Sequence, residues 1–397
     1  MNAPDSRPIY LDHASTTPID ARVAERMAEV LSSASEFGNP ASASHAYGEH
    51  AAALVEAARK QVADAVGACP EEVVWTSGAT EANNLAIFGV AQYYQGSGRH
   101  LITVRTEHKA VLDPCRELER RGWKVSYLVP DREGLLDPQQ VAAALRPDTV
   151  LVSLMHVNNE IGVVQNIAAV SAICARHGAR LHVDAAQSLG KCPIHFASLG
   201  ADLMSLSAHK VYGPKGMGAL LIARRGDTAA RSRVQLTPLL FGGGQERNLR
   251  AGTLATHQVV GMGLAFELAA ATSSVETARV ARLQQRLWEG LAALGGVLRN
   301  GSALRSVPHL LNVSFEGVEG ESLLAAIRPR LAVSTGSACT SALAEPSYVL
   351  RALGRSERLS ESSLRFGLGR TTSESDIEVA VAVLSREVSR LRRVAGK

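Results

Sequence analysis

Lys210 follows directly on an apolar run, in the segment DLMSLSAHKVYGPKGMG from Asp202 to Gly218, and two other segments place polar residues in the same way. VVWTSGATEANNL, from Val73 to Leu85, reads as a strand, a small turn with Gly78 and the start of a helix. LHVDAAQS, from Leu181 to Ser188, puts Asp184 at a strand end with Gln187 three residues on. A lysine amine can form an imine with an aldehyde, and Ser207 and His209 beside it can help hold phosphate. The unpaired backbone N–H groups of a helix start also suit a phosphate. A buried carboxylate at Asp184 can keep a pyridinium nitrogen protonated, which a pyridoxal ring needs in order to accept electrons. Taken singly, each segment has a plainer reading: Ser77 or Thr80 as a simple helix cap, Asp184 as another cap, Lys210 as a solvated side chain. The glycines after Lys210 do not open a helix behind a strand, which rules out a dinucleotide-binding loop.

These residues need a scaffold that gathers strand ends. Between Ala51 and Ile222, β-rich runs alternate with helical patterns: Glu72–Thr76, His100–Val104, Lys124–Leu128, Thr149–Met155, Arg180–Asp184, Asp202–Ser207 and Gly218–Ile222. The intervening helices include Glu49–Val66, Lys109–Arg121 and Ile167–His177. Such alternation predicts a mostly parallel sheet covered by helices, with ligands beyond the carboxyl ends of the strands. Ser77, Glu107, Asn159, Asp184 and Ser207 would converge there. After Gly242–Gly244 and a helix around His257–Ala271, longer helices with fewer strands predict a second, smaller α+β domain.

Composition agrees with two globular domains. The chain has 397 residues, 46% hydrophobic and 20% charged, so it is far from the profile of disorder. The net charge of +4 is small and its signs are interspersed, giving no reason to expect a nucleic-acid partner. Two basic stretches, Ala223–Val234 and Ser385–Lys397, read as a solvated loop and a helix end. No secretory signal and no apolar run of membrane-spanning length are evident, so a cytoplasmic location is expected. The five cysteines include no CxxC pair and there is no HExxH, so neither a disulfide framework nor a metal site is expected. Cys69, Cys115, Cys174 and Cys192 read as inert thiols. Cys339 differs: its neighbours Ser334–Ala338, Thr340 and Ser341 are small or polar, which suits an accessible loop.

A phosphate turn, then Asp184, then Lys210, each ending a successive strand of one sheet, resembles the fold-type I pyridoxal-phosphate enzymes in their class V aminotransferase branch. The resemblance sharpens over nearly the whole chain. YLDHASTTPID, FGNPAS, TEHKAVLD, MHVNNEIGVVQ, SAHKVYGPKG, GGGQERNLRAGT and STGSACTSALAEPSYVLRALG are similar to the cysteine desulfurases of the NifS and IscS type, IscS most of all. His13, Phe241 and the arginine-rich stretch 224–233 depart from the family's pattern.

The resemblance implies a fold-type I architecture with a mostly parallel seven-stranded sheet in a large domain, residues 17–261, and a smaller α+β domain from 1–16 and 262–397. The small domain would carry a catalytic loop at about 334–346. It also implies pyridoxal 5'-phosphate held as an imine on Lys210, with Ala79, Thr80, Ser207 and His209 around the phosphate and Thr253 reaching in from the second subunit of a homodimer. Asp184 would pair with the ring nitrogen and Gln187 with the phenolic oxygen, while His108 stacks on the ring and moves protons. Asn159 would contact cofactor or substrate, and Asn39 and Arg365 would hold the substrate carboxylate. The implied reaction turns L-cysteine into L-alanine, with sulfur passing to Cys339 as a persulfide and on to acceptors such as an iron-sulfur scaffold or a thiolation relay protein. Scaffold-docking members continue in a tail beyond the position of Lys397, so docking by that route is not expected. A selenocysteine lyase, or another β-elimination enzyme, would share the same electron sink, and a noncatalytic sulfur carrier would share the fold.

Overall fold

The computed structural model describes residues 7–224, 233–335 and 346–395. A short strand, β1 (Ile9–Tyr10), precedes the strands of a large sheet: β2 (Val73–Thr76), β3 (His100–Val104), β4 (Lys124–Leu128), β5 (Thr149–Met155), β6 (Arg180–Asp184), β7 (Leu203–Ser207) and β8 (Gly218–Ile222). Their order is β2-β8-β7-β6-β5-β3-β4, parallel except that β8 runs against both of its neighbours. The mostly parallel seven-stranded sheet expected from the sequence is therefore present. One detail differs. The phosphate turn after β2 and Lys210 after β7 do not close adjacent strands, because antiparallel β8 lies between them.

The strands read as continuous apolar runs because both faces of the sheet are covered. Val73, Trp75, Ile102, Leu154, Val183 and Leu206 join one core, while Val74, Leu101, Leu151, Leu203 and Leu220 point into the other. Helices Ala46–Val66 and Ile167–His177 supply the first core, and Ala79–Tyr94 with Lys109–Arg120 the second.

A smaller unit follows. β9 (Val297–Asn300), β10 (Leu310–Phe315) and β12 (Ser363–Gly367) form an antiparallel sheet, and β11 (Leu331–Ala332) pairs with β1 in parallel. Its core is built from Leu311, Val313, Phe315, Phe366 and the buried face of helix Glu374–Ala395. Helix Thr256–Ala292 serves both units. It runs unbroken through the expected division at 261/262: Val259, Met262, Phe266 and Ala269 pack on the large sheet, and Val280, Leu283, Leu287 and Leu291 on the small one. By length and composition it is apolar enough to cross a membrane, contrary to the expectation from the sequence; that composition here serves two cores.

One buried ion pair anchors the segment that follows β8. Both carboxylate oxygens of Glu246 accept from the guanidinium of Arg59, at 2.8 and 2.9 Å, and Oε2 also accepts from the backbone N–H of Trp75 at 2.9 Å. These bonds hold three successive non-glycine residues, Glu246, Arg247 and Asn248, at positive φ. Removing one partner of a buried pair leaves the other charge without compensation. Glu246→Ala is therefore expected to lower unfolding stability by about 3–5 kcal/mol in chemical denaturation.

Candidate active site

A cleft of about 450 Å³ opens where β2, β5, β6 and β7 end, and it is lined by Ala79, Thr80, His108, Asn159, Asp184, Gln187, Ser207, His209, Lys210 and Arg365. Ten of the expected site residues thus meet in one place. Asn39 and Thr253 do not: both are exposed and line a separate cleft beside Arg59 and Glu246. The Asn39 side chain accepts from the backbone N–H of Ala41 at 3.0 Å. Cys339 lies outside the described residues.

The phosphate-turn reading gains over the capping one. Helix Ala79–Tyr94 starts from Gly78, and no side chain caps it. The N–H of Ser77 donates instead to Glu81 at 2.8 Å, and Arg250 holds that carboxylate at 2.9 Å, keeping Glu81 below its usual pKa despite its burial. The turn fits only because β8 begins with glycine. Gly218 pairs with Thr76 on one side and Ser207 on the other, and a Cβ there would lie 2.6 Å from the Cα of Gly78 and 2.6 Å from the carbonyl oxygen of Leu206.

Asp184 ends β6 and is 6% exposed. Its Oδ2 accepts from Nδ2 of Asn83 at 2.7 Å and its Oδ1 from the N–H of Ala186 at 3.0 Å, so one carboxylate both caps a turn and faces the cleft. Lys210 leaves the end of β7 on a single 3₁₀ turn and donates to the carbonyls of Ala14 at 2.7 Å and Ser15 at 2.6 Å. Nδ1 of the neighbouring His209 shares a hydrogen bond with the Thr16 hydroxyl at 3.1 Å. Burial and the nearby Lys210 charge bring His209 down to about 4.

His108 caps helix Lys109–Arg120 through Nδ1, which accepts from the N–H of Ala110 at 3.1 Å. Burial lowers its pKa, partly offset by Asp184, so the ring is neutral at pH 7 and carries its proton on Nε2. Arg365, on β12, is 2% exposed and donates to the carbonyl of Asn159 at 3.0 Å and to Asp12 at 2.8 Å. Its Nε and the side-chain oxygen of Asn159 are buried without protein partners among the described residues. An unpaired donor and acceptor in one cleft, beside an uncapped helix start, fit a bound polar group.

Several participants were not singled out as site residues from the sequence. Asn83 looked like one more residue of an apolar helix, although its spacing from Gly78 on the first turns was a usable signal. Asp12 and the Ala14–Thr16 backbone come from the amino-terminal segment, whose motif carried the resemblance but no role. Glu107, by contrast, was expected among the strand-end residues facing the ligand but does not line the cleft: it lies wholly buried, where Oε1 accepts from the N–H of Met155 at 2.9 Å and burial raises the carboxyl well above its usual range.

The fold and cleft define a class: a lysine-bearing α/β enzyme of aminotransferase class V, whose family model matches residues 9–379. Cysteine desulfurase IscS of Methylococcus capsulatus is 56% identical over 98% of this chain and 94% of its own length. Cysteine desulfurase IscS of Escherichia coli is 53% identical over 97% and 94%. Among solved structures, a NifS-like protein aligns with TM-score 0.88 at 34% identity, covering 97% of this chain and 100% of that one. SspA in complex with cysteine aligns with TM-score 0.79 at 39% identity, covering 91% and 98%. The chain belongs to the cysteine desulfurases of the class-V aminotransferase family, which depend on pyridoxal phosphate.

Two measurements check this geometry. Gly218→Ala forces backbone against backbone, and overpacking of that kind costs about 1–3 kcal/mol, so its thermal midpoint should fall by several degrees. Acid should also destabilise the fold. Burial keeps His13, His156, His182 and His209 neutral down to about 4, and His309 to about 3. Unfolded imidazoles take up protons near pH 6.5, so the unfolded state binds more protons between there and pH 4, and stability drops as pH falls through that window. The raised carboxyls of Glu107 and Glu160 oppose this, two groups against five. Urea midpoints measured from pH 7 to pH 4.5 should decline.

Proposed function

We propose that the protein converts L-cysteine to L-alanine, with Lys210 holding pyridoxal 5'-phosphate covalently and Cys339 receiving the sulfur. The observation that carries this reading is the convergence of Lys210, Asp184 and an uncapped helix start on one cleft. When bound, the cofactor supplies an electron sink for the bond broken at the substrate's α carbon.

The chain's own residues supply the rest. The N–H groups of Ala79 and Thr80, with Ser207 and His209, would take the phosphate, where the helix dipole favours an anion. Asp184, oriented by Asn83, would keep the ring nitrogen protonated. Gln187 would face the phenolic oxygen. Arg365 would turn from Asp12 to the substrate carboxylate, offering a two-pronged contact, with Asn159 beside it. His108 presents Nε2–H, so it is set to give a proton to a leaving or acceptor atom; taking one from a thiol on Nδ1 requires releasing the Ala110 cap.

Cys339 would attack the substrate sulfur as thiolate: the S–S bond forms, the substrate's C–S bond breaks, and the organic fragment leaves as L-alanine. The sulfur then passes to acceptor proteins of iron-sulfur assembly or thiolation. Thr253, exposed outside the cleft, would complete the site of a second copy in a homodimer. Asn39 lines the same separate cleft as Thr253 and is not among the described residues that line the cleft of Lys210.

Two variants divide these roles. Lys210→Ala is expected to lose the borohydride-reducible link to the cofactor. Cys339→Ser is expected to keep that link and yet release little alanine or sulfide from cysteine, and mass spectrometry of the wild type after brief exposure to L-cysteine should find one added sulfur on Cys339. Full turnover by Cys339→Ser would overturn the persulfide route.

A further inference from the structure

Arg365 lines the cleft with its side chain only 3% exposed, yet its charge is already matched by one carboxylate. Nη2 donates to Oδ1 of Asp12 at 2.8 Å and Nη1 to the carbonyl of Asn159 at 3.0 Å, while Nε is left without a protein partner among the described residues. Among the described residues, Asp12 is the only carboxylate bonded to this guanidinium. The Glu160 carboxyl is engaged elsewhere, accepting from the Ser347 hydroxyl at 2.5 Å. Arg365 therefore offers an open donor whose charge is paired.

The backbone, not the ion pair, sets where Asp12 stands. The N–H of Gly367 donates to the carbonyl of Leu11 at 2.7 Å and the N–H of His13 to the carbonyl of Gly367 at 3.1 Å, which lays residue 12 alongside the strand that carries Arg365. The Tyr10 hydroxyl also donates to the carbonyl of Asp12, at 3.1 Å. A neutral side chain at position 12 thus leaves these bonds intact. The Asp12 side chain is 20% exposed, and among the described residues its carboxylate pairs with Arg365 alone.

We propose that Asp12 sets the selectivity of Arg365: its charge makes every incoming carboxylate compete for the guanidinium, so a ligand that offers a carboxylate and nothing else is held weakly. A carboxylate reaching Arg365 must either displace Asp12 or lie beside it, and like charges at that range repel strongly where water is largely excluded. An amino acid offsets that cost through its amine; a simple carboxylate has no such means. The inference rests on Arg365 as the residue that binds the substrate carboxylate.

Propionate, which has neither amine nor thiol, is the probe. Its dissociation constant is read by ligand-observed NMR titration of the full-length, cofactor-loaded protein, with propionamide as the uncharged control. Asp12→Asn removes the charge and keeps an oxygen that can accept from Arg365; Asp12→Ser does so with a hydroxyl, should the amide disturb folding. Propionate is expected to bind either variant about tenfold more tightly or better, with propionamide unchanged. Asp12→Glu keeps the charge and is expected to show no tightening. In turnover, the KM for L-cysteine should fall in Asp12→Asn while kcat does not rise, because the removed charge opposes ground state and transition state alike. Unchanged or weaker propionate binding by the folded neutral variants would make Asp12 only a support for Arg365 and overturn the proposal. Arg365→Gln tests the reading beneath it: weaker propionate binding upholds Arg365 as the carboxylate site whatever Asp12 does, and unchanged binding refutes that reading and the proposal with it.

Discussion

An amine held between two packed units must have its hydrogens taken by acceptors, and at Lys210 the acceptors are the backbone carbonyls of Ala14 and Ser15. Much of the architecture around the cleft follows from keeping those carbonyls in place. The Thr17 hydroxyl donates to the carbonyl of His209 and accepts from the N–H of Tyr212, which ties the amino-terminal segment to the turn that carries Lys210. A residue earlier in that segment, His13, donates its N–H to the carbonyl of Gly367, and Ile9–Tyr10 pairs with Leu331–Ala332 in the small unit. The same few residues therefore set the lysine and join the two units. Arg370 reinforces the joint by binding Asp20 from one side and Glu276 of the shared helix from another.

The cleft balances charges of both signs at short range. Lys210, Arg365 and the open helix start are positive; Asp184, Glu81 and Asp12 are negative, and each carboxylate is held by a defined donor. Burial pushes the carboxyl of Glu107, which lies beneath the cleft, well above its usual range, and the Asp184 charge adds to that rise.

Most of the elements were legible in the sequence for a local reason. Strands covered on both faces are continuous apolar runs; all seven end where the pattern ends, and five, including Thr149–Met155 and Gly218–Ile222, also begin where it begins. The helices are bounded by their caps, as with Ile167–His177 between Asn166 and Gly178. Helix Thr256–Ala292 was foreseen only in its first half, since its second half faces a different core and the burial pattern shifts midway. Asn83, the carbonyls of Ala14 and Ser15, and Glu246 against Arg59 were not legible, because each acts across 100 or more residues of chain.

By itself the sequence determined the sheet, the helices around it and the chemical repertoire at the strand ends: an amine at 210, a carboxylate at 184, a glycine turn at 78. These follow from periodicity and residue type, which act over a few neighbouring positions. Tertiary structure alone decided which alternatives were realised. It left the helix start at Gly78 open to a ligand, turned Lys210 inward onto two carbonyls, and kept Asn39 and Thr253 outside the cleft. The reason is that burial, charge pairing and the space left by a missing Cβ at Gly218 depend on residues brought together from distant parts of the chain.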